Sequence, residues 1–270
     1  MLVSLPKTFW CNKKTQLSKE NKIWLSYSSS KKYNGSEPAF FNISNDVWCQ
    51  KLLNNWEGVL REIEGNGDKS FVSYFNNTFS NKESQWKFIP LRMWGVEYSK
   101  NAASFPFTKS LIEEIPFVAS ASFSKLEPET KIKKHTGDSN IMYRVHIPLI
   151  VPGSLPECGF KVLDESVSWE LGSAFAFCDA FEHEAWNNTK MDRVVLILDI
   201  IRPEFHDKYI WYRAQILATL WVQFAFQKSN LHNKFPIFVR VFVMKVLGVF
   251  ALLYIPFHNF LGRIYSRKIK

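Results

Sequence analysis

Ile141-Met142-Tyr143-Arg144-Val145-His146-Ile147-Pro148-Leu149-Ile150-Val151 is the stretch whose reading decides the fold. It is the longest of six short β-rich runs between Phe117 and Pro203. The others are Phe117–Leu126, Gly159–Leu163, Val167–Leu171, Ala174–Cys178 and Arg193–Ile201, with Gly137, Pro152-Gly153, Asp164-Glu165 and Gly172 punctuating them. Many short strands at this spacing, with no helical pattern between them, predict a sandwich or barrel. Upstream the period changes. Trp48, Leu52, Leu53, Trp56, Val59, Leu60 and Ile63 recur at helical spacing, behind Ser44 or Asn45 as a cap and ahead of Gly65-Asn66-Gly67 as a stop. A shorter helix is predicted from about Thr108 to Ile115, ended by Pro116. The expected class is α+β: helices packed on a small all-β core.

Composition narrows the possibilities. The chain has 270 residues, 46 % of them apolar and 16 % aromatic, which excludes a mostly disordered chain and is ample for a sizeable core. Cys11, Cys49, Cys158 and Cys178 are too scattered for a disulfide scaffold or a paired-cysteine zinc site, and are read as reduced thiols. Met1 to Lys7 lacks an apolar core, so no secretory signal is expected, and the sequons at Asn42, Asn76 and Asn187 are read as chance. Residues 27–37 are expected to form an exposed loop.

The net charge of +9 is not spread evenly. Residues 1–206 hold 24 basic and 24 acidic side chains, whereas 207–270 hold ten lysines and arginines against Asp207 alone. In that tail, residues 209–227 look helical, with Gln215, Thr219, Gln223 and Gln227 on one narrow stripe. Phe235 to Phe257 is more apolar, broken by Arg240 and Lys245, and its longest charge-free stretch, Val246 to Gly262, falls short of a simple membrane span. Cations interleaved with Phe, Trp and Tyr suit a segment lying in an anionic membrane interface, or else a helical extension packed on the β core. Nucleic acid is not an expected partner, because no polar basic face forms. The organisation expected is an N-terminal extension (1–37), a β-rich domain (38–206) and a basic, hydrophobic helical tail (207–270).

The residues that could carry chemistry fall in the β region. His135-Thr136-Gly137-Asp138-Ser139-Asn140 leads to Arg144-Val145-His146, and Phe181-Glu182-His183-Glu184 to Arg193. Neutral imidazole is the commonest transition-metal ligand, and two histidines with a carboxylate or open positions form the facial site of non-haem iron oxygenases. His135 is expected on a turn before one strand and His183 just after another, so that both point into the mouth of a barrel. Taken singly, each is more often a satisfied core or surface residue.

The order of motifs is more specific. His135-Thr136-Gly137-x-x-Asn140-x-x-x-Arg144-x-His146 is followed by Trp169-x-x-Gly172-x-x-x-x-Phe177-x-Asp179-x-Phe181-x-His183-Glu184-x-Trp186-Asn187, then by Arg193-x-x-Leu196-Ile197-x-Asp199. This pattern, over about Ser124 to Pro203, resembles the aspartyl/asparaginyl β-hydroxylase family. That resemblance implies a double-stranded β-helix (jelly-roll, cupin-like) core and an Fe(II)/2-oxoglutarate-dependent dioxygenase that uses O2. It implies His135 and His183 as iron ligands, with Gly137 where the usual triad has its carboxylate; Asp138 next door is expected to point away. It implies Arg193 on the distal carboxylate of 2-oxoglutarate, with His146 and Ser124 as further co-substrate contacts. Arg144 would meet an acidic substrate group, the alternative being a cross-strand ion pair, and Trp94 would be a substrate-side aromatic, the alternative being a core position. Asp179 is expected behind His183, with Glu182 and Glu184 beside it. The family's usual His-Pro after the last strand is here Arg202-Pro203. The substrate implied is the β-carbon of an Asp or Asn residue or a related small molecule or peptide, with a lipid (lipid A acyl chain) as the alternative. A non-catalytic jelly-roll binding protein is the reading from another class. The expected location is cytoplasmic, or peripheral on the inner face of a membrane.

Overall fold

The computed structural model describes residues 23–29, 31–67, 70–74, 79–226 and 235–268. The N-terminal stretch, Cys11, the sequon at Asn76 and Gln227 lie outside them. All strand pairs are antiparallel and form two sheets. The larger has the order β1 (Val72–Ser73), β2 (Trp86–Met93), β4 (Val118–Leu126), β11 (Arg193–Ile201), β6 (Met142–Ile150), β9 (Phe175–Cys178), with β3 (Val96–Glu97) also on β2. The smaller has the order β5 (Thr130–His135), β10 (His183–Asn187), β7 (Cys158–Val162), β8 (Glu165–Val167). This is a double-stranded β-helix with packed helices, an α+β fold.

Strand β11 shows how the sequence builds it. Side chains alternate across a strand, so Val194, Leu196, Leu198 and Ile200 share one face and Arg193, Val195, Ile197 and Asp199 the other. The first set joins a buried cluster with Leu52, Val59 and Ile63, and with Leu111 and Ile112, from helices on the outside of the large sheet. The second set faces the small sheet, where Val195 packs with Phe160, Val162, Trp169 and Phe177. Every polar residue of interest on β4, β6 and β11 sits on this inner face.

The single helix expected before Gly65 is two, α1 (Val47–Leu53) and α2 (Trp56–Asn66). Asn55 interrupts it: its Nδ2 donates to the Lys51 carbonyl at 2.7 Å, competing with the backbone ladder. Asp46, rather than Ser44 or Asn45, holds the N-cap position, and Gly67 closes α2 at φ +61°. Downstream, α3 (Ser99–Ser104) precedes α4 (Pro106–Glu113), which starts two residues before the predicted Thr108. The strand expected over 167–171 lies at 165–167 instead.

The tail is part of the body. A 3-10 turn (Pro203–Lys208) leads into α5 (Tyr209–Phe226), and α6 runs from Ile237 to Lys268 straight through Gly248 and Pro256. Ala214, Ile216 and Leu217 of α5, with Ala251 and Ile255 of α6, are buried against Trp94, Val96, Ile141, Met142 and Ile201. The two helices approach closely because Gly248 has no side chain; a Cβ there would sit 3.3 Å from the Trp211 ring. Over residues 237–264, α6 is long and apolar enough to cross a membrane, with mean hydropathy 2.2, which exceeds the expectation drawn from its charge-free stretch alone. Its inner side is committed to the protein, however. Asn259 donates to the Gly95 carbonyl at 2.8 Å and accepts from the Glu97 amide at 2.9 Å.

Candidate active site

His135 and His183 are direct partners across the β5–β10 ladder, with ring centroids 4.3 Å apart. They end one strand and begin the next, rather than lying outside strands as expected. The β5 sequence, Thr-Lys-Ile-Lys-Lys-His, hid its strand behind lysines on the solvent side. Each Nδ1 lies 2.8 Å from a carbonyl two residues earlier, Lys133 for His135 and Phe181 for His183. A carbonyl only accepts, so each Nδ1 carries the hydrogen and each Nε2 keeps a free lone pair. Burial drives His135 down to about 4 and His183 well below the ordinary imidazole range. Both rings are therefore neutral at pH 7, as metal ligation requires.

The space where a side chain on Gly137 would stand is filled by another residue. A Cβ on Gly137 would fall 1.6 Å from Oδ2 of Asp179, a buried carboxylate whose Oδ1 lies 3.8 Å from His183 Nε2. Burial raises the Asp179 pKa against the pull of Arg144. Arg144 Nη1 reaches Asp179 at 2.7 Å, while Nε and Nη2 fork Asp199 at 2.8 and 3.1 Å. Asp138 turns away and accepts from Gln223 Nε2 at 2.7 Å. Among the described residues no set of three His, Cys, Asp or Glu side chains is arranged to hold a metal, so the protein ligands on offer are the two imidazoles. Gly137→Ala is expected to lower stability by about 2 kcal/mol, since the added methyl must expel a close-packed, ion-paired carboxylate. Urea denaturation checks this; an unchanged midpoint would refute the packing argument.

Deeper on the same inner face, Arg193 is 1 % exposed and has no carboxylate partner among the described residues. Nη1 donates weakly to the Ser124 carbonyl at 3.4 Å, Nε has no partner, and the guanidinium lies 4.6 Å over the Trp169 ring. Burial pushes its pKa down to about 10. Trp169 Nε1 donates to His146 Nδ1 at 3.3 Å, which leaves His146 Nε2–H as a free donor. Trp86 Nε1 donates to Ser124 Oγ at 3.1 Å, so the Ser124 hydroxyl retains its own proton to give. The structure thus gathers His135, His183, Arg193, His146 and Ser124 on one lining.

Two expected site residues are placed differently. Trp94, 2 % exposed at φ +51°, belongs to the cluster beneath α5 and α6, not to the histidines. Arg144 is in the cross-strand ion pair, already forked by carboxylates. Sequence reasoning missed the aromatic wall of the histidine mouth: Phe79 stacks on His135 at 4.7 Å, and Trp86 lies 6.4 Å away, stacked in turn on Tyr74. No periodicity or motif marks these positions.

Three imidazoles, His146 and His183 buried and His135 half-buried, have a cost in acid. His135, His146 and His183 are all held below the ordinary value by burial, while the unfolded chain protonates them near pH 6.5. Below that pH the unfolded state binds more protons. Stability is therefore expected to be level above about pH 7 and to fall as pH drops from 6.5 towards 4, by up to about 1.4 kcal/mol per pH unit for each imidazole. Urea midpoints at pH 7.5, 6.0 and 5.0 test it; equal values would contradict it.

A jelly roll whose inner face carries two facing neutral imidazoles and a buried guanidinium without a carboxylate partner is a scaffold of the hydroxylase type. Residues 53–203 match the family described as Aspartyl/Asparaginyl beta-hydroxylase, and the chain belongs to that family. It is 36 % identical over 121 residues to the ornithine lipid ester-linked acyl 2-hydroxylase of Rhizobium tropici, covering 45 % of this chain and 43 % of that one. It is 28 % identical over 161 residues to human aspartyl/asparaginyl beta-hydroxylase, covering 57 % and 21 %. The chain thus spans less than half the length of these relatives. Among solved structures, a Pseudomonas putida prolyl-4-hydroxylase aligns over 60 % of this chain and 91 % of its own, at 12 % identity and TM-score 0.39.

Proposed function

We propose that the protein is an Fe(II)- and 2-oxoglutarate-dependent hydroxylase, and that its substrate is an acyl chain presented at a membrane surface. The observation that carries the first part is Arg193: a guanidinium buried without a counter-ion is costly unless an anion arrives. A dicarboxylate satisfies it. Arg193 would fork the distal carboxylate, and the Ser124 hydroxyl and His146 Nε2–H would donate to the same molecule. His135 and His183 would hold iron through Nε2, their Nδ1–H bonds to carbonyls fixing tautomer and ring orientation. Bound iron would supply the redox chemistry that couples O2 and oxidative decarboxylation of 2-oxoglutarate, to succinate and CO2, to insertion of one oxygen into a C–H bond.

The lipid part is supported by two features. Arg144, expected to meet an acidic substrate, is already neutralised by Asp179 and Asp199. In addition, Phe242, Phe250, Leu253 and Phe257 of α6 all face solvent. The β-carbon of an Asp or Asn residue is the second reading, supported by the family itself. The deciding measurement is Fe(II)-dependent succinate release from 2-oxoglutarate, with lipid and peptide extracts searched for a gain of one oxygen. Absence of iron-dependent succinate, coupled or uncoupled, would overturn the enzyme proposal. The membrane contact is tested by Phe250→Asp/Leu253→Asp, expected to weaken vesicle flotation by more than about tenfold, since each exposed apolar side chain contributes roughly 1.5 kcal/mol or more on burial. Undiminished flotation would show that α6 is not the membrane element.

A further inference from the structure

Away from the histidines, α5 and α6 border an open cavity of about 640 Å³ against the β2–β3 turn. Its walls carry three guanidinium groups, Arg92, Arg213 and Arg263, and one carboxylate, Glu97. Arg92 Nη2 pairs with Glu97 at 3.2 Å. Arg213 has no hydrogen-bond or ion-pair partner among the described residues, and its Nε is buried without a partner. The guanidinium carbon lies 4.9 Å from the Tyr209 ring centroid, and the group sits against Gly95, where a Cβ would come within 3.3 Å of it. Gly95, at φ +87°, therefore both makes the β2–β3 turn and leaves room for the cation. Arg263, one turn from the end of α6, is exposed and also unpaired among the described residues. Burial and the neighbouring Arg92 press the Arg213 pKa below the usual guanidinium range. Among the described residues, the cavity lining holds three guanidinium groups and a single carboxylate, an excess of positive charge.

Its position says what should balance it. Around the α6 axis, at 100° per residue, Phe242, Phe250, Leu253, Phe257 and Phe260 cluster on the outward side. Leu253 is 69 % and Phe242 67 % exposed. Asn259, Phe260 and Arg263 line the cavity, so it opens along the flank of the helix, at the border of that apolar face. An apolar helix face buried in a lipid interface sets its flank at headgroup level, where Arg side chains meet phosphate. Arginine's planar fork suits phosphate oxygens.

We propose that the Arg92–Arg213–Arg263 cavity binds the phosphate of an anionic phospholipid headgroup while the outward face of α6 lies among the acyl chains. This goes beyond the hydroxylase proposal and is read by binding alone, so it stands whether the substrate is a lipid or a peptide. Asn259 holds α6 to the β2–β3 turn and so keeps Arg263 on the wall of the cavity that Arg213 also lines. The occupant committed to is a lipid of the bilayer rather than a soluble anion, because only the former also covers the exposed Phe and Leu side chains.

The experiment is co-sedimentation of the full chain with phosphatidylglycerol/phosphatidylcholine vesicles and with pure phosphatidylcholine vesicles at 0.15 M salt. The parent is expected to prefer the anionic vesicles. Arg213→Gln/Arg263→Gln should lose about 25-fold in affinity for them, roughly fivefold per arginine at a membrane surface. The control Lys161→Gln/Lys190→Gln removes the same charge elsewhere and should lose less than about twofold if the cavity, not net charge, is responsible. Circular dichroism and melting temperature confirm that the variants are folded, with Arg213→Lys as a second, charge-keeping variant expected to bind more tightly than Arg213→Gln but less tightly than the parent. Equal binding by parent and double variant overturns the proposal, as does equal loss in the control. A melting-temperature rise with inorganic phosphate that Arg213→Gln abolishes, alongside unchanged vesicle binding, would make this a soluble-anion site and overturn the lipid assignment.

Discussion

Arg193→Met is expected to make the ligand-free protein melt higher while raising the half-saturating concentration of 2-oxoglutarate by about thirtyfold or more. The two effects have one origin. Arg193 is buried with only a weak carbonyl contact and a tryptophan face for company. An ion so placed destabilises the unliganded fold, and a methionine of similar length would fill the same slot without the desolvation penalty. Relief of about 1–2 kcal/mol corresponds to a gain of roughly 2–8 °C for a chain of this size. The co-substrate loses its fork. Removing one partner of a buried charge pair costs about 2–5 kcal/mol, hence the thirtyfold floor. Calorimetry and initial rates against 2-oxoglutarate check both halves. A lower melting temperature would mean that the guanidinium is there for packing on Trp169, not for a ligand.

The double variant His135→Ala/His183→Ala is expected to lose measurable Fe(II) binding and all iron-dependent succinate formation. The two imidazoles face each other with free lone pairs at this mouth, and Asp179 is committed to Arg144. Loss of even an outer-shell partner costs a metal site about 10–100-fold, so losing both imidazoles is expected to exceed about 10⁴-fold. Because His135 is held near 4 and His183 well below its ordinary range, protons compete little for the lone pairs above pH 6. Iron affinity of the parent should therefore change less than about twofold between pH 8 and 6, where two ordinary histidines would lose more than about tenfold. Titration calorimetry under anaerobic conditions reads both outcomes.

Much of this site could be read from the chain, and the exceptions have physical causes. Strands such as β11 declare themselves because both faces are buried, giving a continuous apolar run around Arg193 and Asp199. Strand β5 does not, because one face is solvated and lysine-rich, so His135 was expected on a turn. The helix break at Asn54-Asn55 is invisible to periodicity, since Leu52, Trp56, Val59 and Ile63 keep helical spacing across it. Gly137 was expected to leave a position open. Only three dimensions reveal that Asp179, forty-two residues on, fills that space from the turn after β9. Arg144 had two readings in one dimension, and the register that sets it opposite Asp199 selects the ion pair. Trp94 sits in a turn whose neighbours come from the end of the chain, a relation that no local pattern encodes.

The hydrogen bond from Gln223 to Asp138 has a mechanical meaning. Asp138 stands three residues from His135, and Gln223 lies on the helix that packs against α6. The α5–α6 helix pair and the turn that follows His135 at the end of β5 are thereby tied to one another. A flexible leash would fix only the distance between catalyst and bilayer. If α6 lies in a bilayer as proposed, this linkage would act as a mooring at two points, and seating α6 would set the direction in which the histidine mouth opens.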